Sequence, residues 1–318
     1  AALQWRAMAH SRRAWLLVVA LLLLLAVPAW AASAGVGCPL AVWGWSLALF
    51  VFCLALGVVS VIAGLGGGIL YVPLVSALFP FHLDFVRGAS LLVGLSGAAG
   101  SGPELLRRRL ASPRLAVPFA LFSALGGVIG ASIGLSAPRA LIETALGVTT
   151  LVVAGVMGLL RPASGQREGG PVALALGMVG CYLEPDGREV AWQAHWARYG
   201  LPMAFLIGIA GGLFGVGGGW AMVPTFTAIM GVPLKVAAAS SVLVIALGNT
   251  GALTVYLAKG SILPLVVVPS VLGLMLGSRI GARRLAVANA AVVRRALVAV
   301  LLLAGLRSLL VGLAGMMR

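Results

Sequence analysis

The chain has 318 residues, of which 61% are hydrophobic and 9% charged, against about 25% charged in an ordinary soluble domain. That balance excludes a soluble globular protein and points to an all-α polytopic membrane protein. The 22 basic residues outnumber the 7 acidic ones, yet they sit between apolar segments rather than on one wet face, which excludes nucleic acid as a partner and marks them as topology charge.

In chain order, residues 1–38 carry Arg12-Arg13 followed by "AWLLVVALLLLLAVPAWAASA", which reads equally as a secretory signal or as an extra N-terminal transmembrane helix. Either leaves residue 35 outside. A first membrane repeat, 39–162, then contains apolar stretches over Trp43 to Ala63, Ile69 to Phe79, Phe85 to Gly100, Leu115 to Leu135 and Ala140 to Leu160. A polar linker spans 163–199, where "EPDG" at 184–187 predicts a turn between two short strands: a cytoplasmic β-hairpin, expected to be removable without loss of transport unless it docks a partner. The second repeat, 200–318, has stretches over Leu201 to Phe214, Trp220 to Met230, Val236 to Leu257, Ile262 to Gly277 and Ala291 to Leu313.

The two sets match in order and in motif. "GLGGG" at Gly64 answers "GVGGG" at Gly215, Val72-Pro73 answers Val223-Pro224, Ser90 answers Ser241, and "LGGVIGASIG" from Leu125 answers "LGLMLGSRIG" from Leu272. This is a tandem duplication, the plan on which many secondary transporters are built. Each segment after a glycine run has 11 residues, too short to cross a hydrocarbon core of about 30 Å at about 1.5 Å per residue. Each run therefore joins two pieces that dip and return or cross twice, with three full helices after them. An odd total inverts the second repeat. Charge agrees, because the Arg-rich loop is 107–114 in the first repeat and has moved to the next loop, around Arg279, Arg283, Arg284, Arg294 and Arg295, in the second. Inversion puts both on the cytoplasmic side.

Glycine runs break a helix at about 1 kcal/mol per residue, so two inside apolar segments need a reason. Unpaired backbone at membrane depth is tolerated only when buried by protein or lining a cavity. A helix start behind each run offers free amides and partial positive charge, and two such starts brought together form a place for an anion. The expected contacts are Gly66, Gly67 and Gly68 of the first run and Gly217, Gly218 and Gly219 of the second. Leucine at Gly67 or Gly217 is expected to abolish transport. The alternative is that the glycines serve close helix packing.

The pairing of "GLGGGILYVPLV" with "RGASLLVGLSGAAG", and of "GVGGGWAMVPTF" with "KVAAASSVLVIALGNTGAL", resembles the TauE/SafE sulfite-exporter family of membrane permeases from Leu40 onward. The resemblance implies a permease of a bacterial cytoplasmic (inner) membrane, moving small sulfur oxyanions or organosulfonates such as sulfite or sulfoacetate. In that family a Thr-Ser pair tends to follow the glycine motif; here Ser240-Ser241 stands in the second repeat but Ala89-Ser90 in the first. Arg87 stands where the family has a small or apolar residue, and Arg279 where it often has glutamine.

Ser90, Ser240 and Ser241 are candidate donors to an oxyanion or bond back to their own helices. Asn249 and Thr250 lie mid-helix, where an amide pairs across helices or meets substrate. Arg87 and Arg279 are candidate charges on the anion path or snorkel to headgroups. Asp84 and Glu143 are the acids near the membrane, and Asp84 has Arg87 one helical turn on. Proton coupling through a side chain has few places to reside; otherwise it rides on the substrate or flow is passive. Cys38, Cys53 and Cys181, with His10, His82 and His195, are scattered, which gives no metal site and no cofactor. No pair of carboxylates or nucleophile and base supports an enzyme. A small anion and the lipid bilayer are the expected partners, with an anion channel or a scaffold acting through the linker as alternatives.

Overall fold

A computed structural model describes residues 39–63, 67–79, 81–159, 173, 175–183, 189–284 and 290–317. The signal-like segment 1–38, Gly66 and the "EPDG" turn lie outside the described residues.

The helices are α1 (Pro39–Ala63), α2 (Gly68–Leu78), α3 (Leu83–Arg107), α4 (Pro113–Ser136) and α5 (Arg139–Leu159), then α6 (Ala197–Phe214), α7 (Gly219–Pro224), α8 (Leu234–Ala258), α9 (Pro264–Arg284) and α10 (Ala290–Met316). Among the described residues, Pro113–Ser136, Ala197–Phe214, Leu234–Ala258 and Pro264–Ala282 are long and apolar enough to cross a membrane. Each short segment forms as expected. In the second half, α7 continues as a π-helical turn, Thr225–Ile229. Pro224 brings no N–H to the ladder, and Thr225 and Thr227 turn their hydroxyls back to the carbonyls of Ala221 and Val223, at 2.7 and 2.8 Å.

The two halves interlock. The fourth helix of each half packs along the first helix of the other, α4 on α6 and α9 on α1. Likewise α8 packs on α4 and α3 on α9, while α3 meets α8 and α5 meets α10. Exchanging the two sets of five helices leaves this pairing unchanged.

The cause is visible in the spacing. Along α4, Gly126, Gly130 and Gly134 lie against the backbone of Phe205, Ile209 and Leu213 of α6; along α9, Gly273, Gly277 and Gly281 lie against Phe50, Leu54 and Val58 of α1. Small residues every four positions form a stripe that lets two helix backbones approach. On other faces of the same helices, Leu121, Leu125, Ile129 and Ile133 of α4 and Val268, Leu272, Leu276 and Ile280 of α9 are exposed. An apolar row turned away from the protein core is what lipid requires, and the chain is an integral membrane protein.

Strands β1 (Val179–Leu183) and β2 (Glu189–Gln193) pair antiparallel, Val179 opposite Gln193 and Leu183 opposite Glu189. The hairpin packs against the helices. Met178, Tyr182, Trp192 and Ala194 join one apolar cluster with Leu115, Phe119, Met222, Phe226 and Met230. His195 N–H donates to the Met230 carbonyl at 2.9 Å. The hairpin is docked because its apolar side chains alternate onto one face and α4 of the first half, with Met222 to Met230 of the second, has apolar surface to receive them. Trp192→Ala is accordingly expected to cost about 3 kcal/mol of stability by removing a buried indole, read as a lowered thermal midpoint in detergent.

Candidate functional site at the paired glycine runs

In the second half, α6 stops at Phe214 and Gly215 and Gly217 take φ of 68° and 70°, a left-handed backbone that side chains resist. Gly218 is the N-cap of α7, and no side chain caps that start. In the first half, α1 is described to Ala63 and Gly67 is the N-cap of α2, again with no side-chain cap. Both helix starts are buried, as are Gly67, Gly68, Gly217, Gly218 and Gly219.

The two runs touch. A methyl group added to Gly68 would fall 2.6 Å from the Val216 carbonyl oxygen and 3.2 Å from Ser90 Oγ. Ser90 donates to the Gly68 carbonyl at 3.1 Å. Asn249 of α8 lies across Gly217, where an added methyl would come 2.7 Å from Nδ2 and 2.9 Å from Cγ. On its other side, Asn249 Nδ2 lies 2.9 Å from where a methyl on Gly94 of α3 would stand. The asparagine is 3% exposed, and its Nδ2 has no hydrogen-bond partner among the described residues. A buried amide left unpaired is costly, about 1–3 kcal/mol, so this donor is poised rather than spent.

Two features differ from the sequence expectation. The runs are closed over in this conformation: the Leu274 side chain covers Gly67, and Ser123 Oγ stands 2.7 Å from a methyl position on Gly218. The amides of Gly215 and Gly217 also turn back onto α6, donating to Gly212 and Gly211 carbonyls at 3.3 and 3.2 Å. Among the described residues the buried side-chain donors without a partner are Asn249 Nδ2 and Arg87 Nε, and no side chain caps the first turn of α7.

The remaining expected residues divide. Ser240 Oγ accepts from the Ser112 N–H at 3.0 Å, fixing the loop between α3 and α4. Ser241 bonds the Ala238 carbonyl and Thr250 the Leu247 carbonyl, each on its own helix. Thr250 and Arg279 are exposed. Arg87 is buried with its guanidinium on backbone carbonyls and on Asp84, the last at 2.9 Å, while Asp84 also lies 3.5 Å from His82. Glu143 pairs with Arg139 at 2.8 Å. Among the described residues no group of three His, Cys, Asp or Glu side chains is close enough to hold a metal ion.

Ser123, Gly94 and Leu274 went unrecognised from the sequence. A signal for Ser123 existed: it stands two residues before "LGGVIGASIG", as Ser270 stands two residues before "LGLMLGSRIG". Ser270 bonds the Tyr71 hydroxyl of α2 at 3.0 Å, so both serines face the short helix of a hinge.

The sequence model of the family described as "Sulfite exporter TauE/SafE" matches residues 48–308. The "Probable membrane transporter protein YunE" of Bacillus subtilis (strain 168) is 28% identical over 241 residues, 74% of this chain and 86% of that one. The "Probable membrane transporter protein ORF9" of Sinorhizobium sp. is 27% identical over 263 residues, 82% and 91% of the two chains. No solved structure matches.

Proposed function

The chain belongs to the sulfite exporter TauE/SafE family of membrane transporters, and we propose that it is a secondary permease for a small anion, a sulfur oxyanion or organosulfonate, working in a bacterial cytoplasmic membrane. The two halves act as inverted repeats, and the anion binds where the glycine runs meet. The observation that carries this reading is the unpartnered Nδ2 of Asn249, buried beside Gly217 and next to the uncapped start of α7. A hydrogen-bond donor kept free inside an apolar protein, at the positive end of a helix, suits an oxyanion. Ser90 at the first run and Ser123 at the second supply hydroxyls on either side. The reciprocal packing of α4 on α6 and α9 on α1 supports two bodies that rock about the contact between the runs. Opening on one side requires Leu274 or Asn249 to swing off its glycine.

The reading is tested in proteoliposomes with labelled sulfite, sulfate and sulfoacetate. Saturable uptake of at least one, accelerated by the same anion inside, is the expected result; currents far above carrier turnover would make the protein a channel. Asn249→Leu is expected to lower uptake about ten- to a hundredfold, the worth of a hydrogen bond to a charged group, with no loss of thermal midpoint because no protein partner is deprived. A fall in midpoint matching the fall in uptake would return Asn249 to a packing role.

A further inference from the structure

The two hinges are not equivalent. The packing of α1 on α9 and of α6 on α4 aligns Gly57 with Gly212: a methyl on Gly57 would meet the Leu274 carbonyl oxygen and the Ser278 nitrogen at 2.7 and 2.8 Å, and one on Gly212 would meet the Gly127 carbonyl oxygen and, at 2.9 Å, the Ala131 nitrogen. Those partners are themselves equivalent, two and six residues into the matched motifs "LGGVIGASIG" and "LGLMLGSRIG". From that shared register α1 continues through Ser60, Val61, Ile62 and Ala63 before its glycine run begins at Gly64, whereas α6 reaches Gly215 after only Leu213 and Phe214. The second hinge helix lacks four residues, about one helical turn, at its C-terminal end.

A helix cut short leaves carbonyls that the missing turn would have satisfied. On α6 the Gly212 carbonyl receives the Tyr256 hydroxyl at 3.1 Å, and the Leu213 carbonyl receives Arg87 Nη2. Arg87 Nη1 also donates to the Gly134 carbonyl near the end of α4, at 3.2 Å. Its guanidinium lies 5.5 Å from the centre of the Tyr256 ring, and its own backbone packs on Gly215, where a methyl would come 2.7 Å from Arg87 Cα. The side chain is 2% exposed, and its ionic partner Asp84 is 37% exposed at the edge of the protein. The equivalent of Arg87, by the match of Ser90 with Ser241, is Ala238, which serves the half whose hinge helix has its full turn.

We infer that Arg87 stands in for the missing turn of α6: a positioning residue that pins the second glycine hinge to α3 and α4 of the first half. Its Nη2 donor replaces an amide of the absent turn, Nη1 ties it to the end of α4, and its charge complements the negative ends of the two helices. The second run is thereby held. This rests on reading the two runs as equivalent hinges.

The test needs no solute, so it stands apart from the identity or existence of the transported anion. Hydrogen exchange is followed in the full chain in lipid nanodiscs, comparing residues 211–219 with residues 57–63. Arg87→Met, which keeps bulk and loses every donor, is expected to speed exchange in 211–219 about tenfold while leaving 57–63 unchanged, with Arg87→Lys in between. Inserting Ser-Val-Ile-Ala after Phe214 in an Arg87→Ala chain supplies the turn and is expected to bring exchange back to within about twofold of the parent. Unchanged exchange at 211–219 in Arg87→Met, an equal rise in both segments, or no recovery on insertion overturns the inference. Where Arg87→Ala yields no monodisperse protein, recovery of such protein by the insertion supports it and failure to recover overturns it.

Discussion

Gly217→Leu is expected to abolish transport, a loss of more than about a hundredfold, while the chain still inserts and purifies as a single species. The backbone there has φ of 70°, which costs an L side chain about 1–2 kcal/mol, and the first added carbon already lies within 2.9 Å of Asn249 Cγ. A leucine displaces Asn249 from its place between Gly217 and Gly94 and fills the proposed anion position. Gly67→Ala is expected to be far milder, a few-fold loss, although Gly67 is the N-cap of α2 as Gly218 is of α7. Its φ is −68°, and its nearest neighbours are side-chain atoms of Leu274 rather than backbone. Uptake by proteoliposomes of Gly217→Ala, Gly217→Leu and Gly67→Ala, each checked for monodispersity, decides the matter. Loss of folding in step with loss of uptake would assign the second run to packing alone.

The second large effect concerns the fold. Gly130→Val and Gly277→Val are expected to destabilise the protein by about 1–3 kcal/mol each, the usual cost of overpacking. A side-chain carbon at 130 stands 2.7 Å from the Ile209 carbonyl carbon, and one at 277 stands 2.9 Å from that of Leu54. Backbone cannot swing aside as a side chain does, so the helices must separate along the whole stripe. The two sites lie on different helix pairs, and the double variant is expected to show the sum of the two losses. Gly44→Ala and Gly102→Ala serve as controls: a methyl at either meets nothing within 4 Å, and each gains helix propensity of up to about 1 kcal/mol. Thermal midpoints in one detergent, with the controls at or above the parent, make the comparison.

Much of this is legible in the chain itself. Length and hydropathy located the helices because a bilayer imposes both. The glycine stripes were legible as "LGGVIGASIG" and "LGLMLGSRIG", although their partners were not: nothing in the local pattern says that Gly130 meets Ile209 of the other half. The hairpin was recognised as strands, but its docking was missed because Trp192 and Tyr182 stand among charged residues that made the segment look independent. Arg87 stood out as a charge bordering an apolar segment, but its burial and its bond to a helix end 126 residues away were not legible there. Asn249 and Ser90 were legible as polar groups in apolar helices; their closeness to the runs followed only from how α3 and α8 cross.

The exchange of partners between the halves also bears on biosynthesis. α1 leaves the ribosome roughly 220 residues ahead of α9, so at about 5–20 residues per second it waits roughly 10–45 s for its mate. During that interval the face of α1 that later receives the glycine stripe of α9, at Phe50, Leu54 and Val58, meets lipid or the insertion machinery. Severed into two genes at the connecting segment, the protein would have to be made from both fragments in the same cell, since either one alone holds helices whose companions lie on the other.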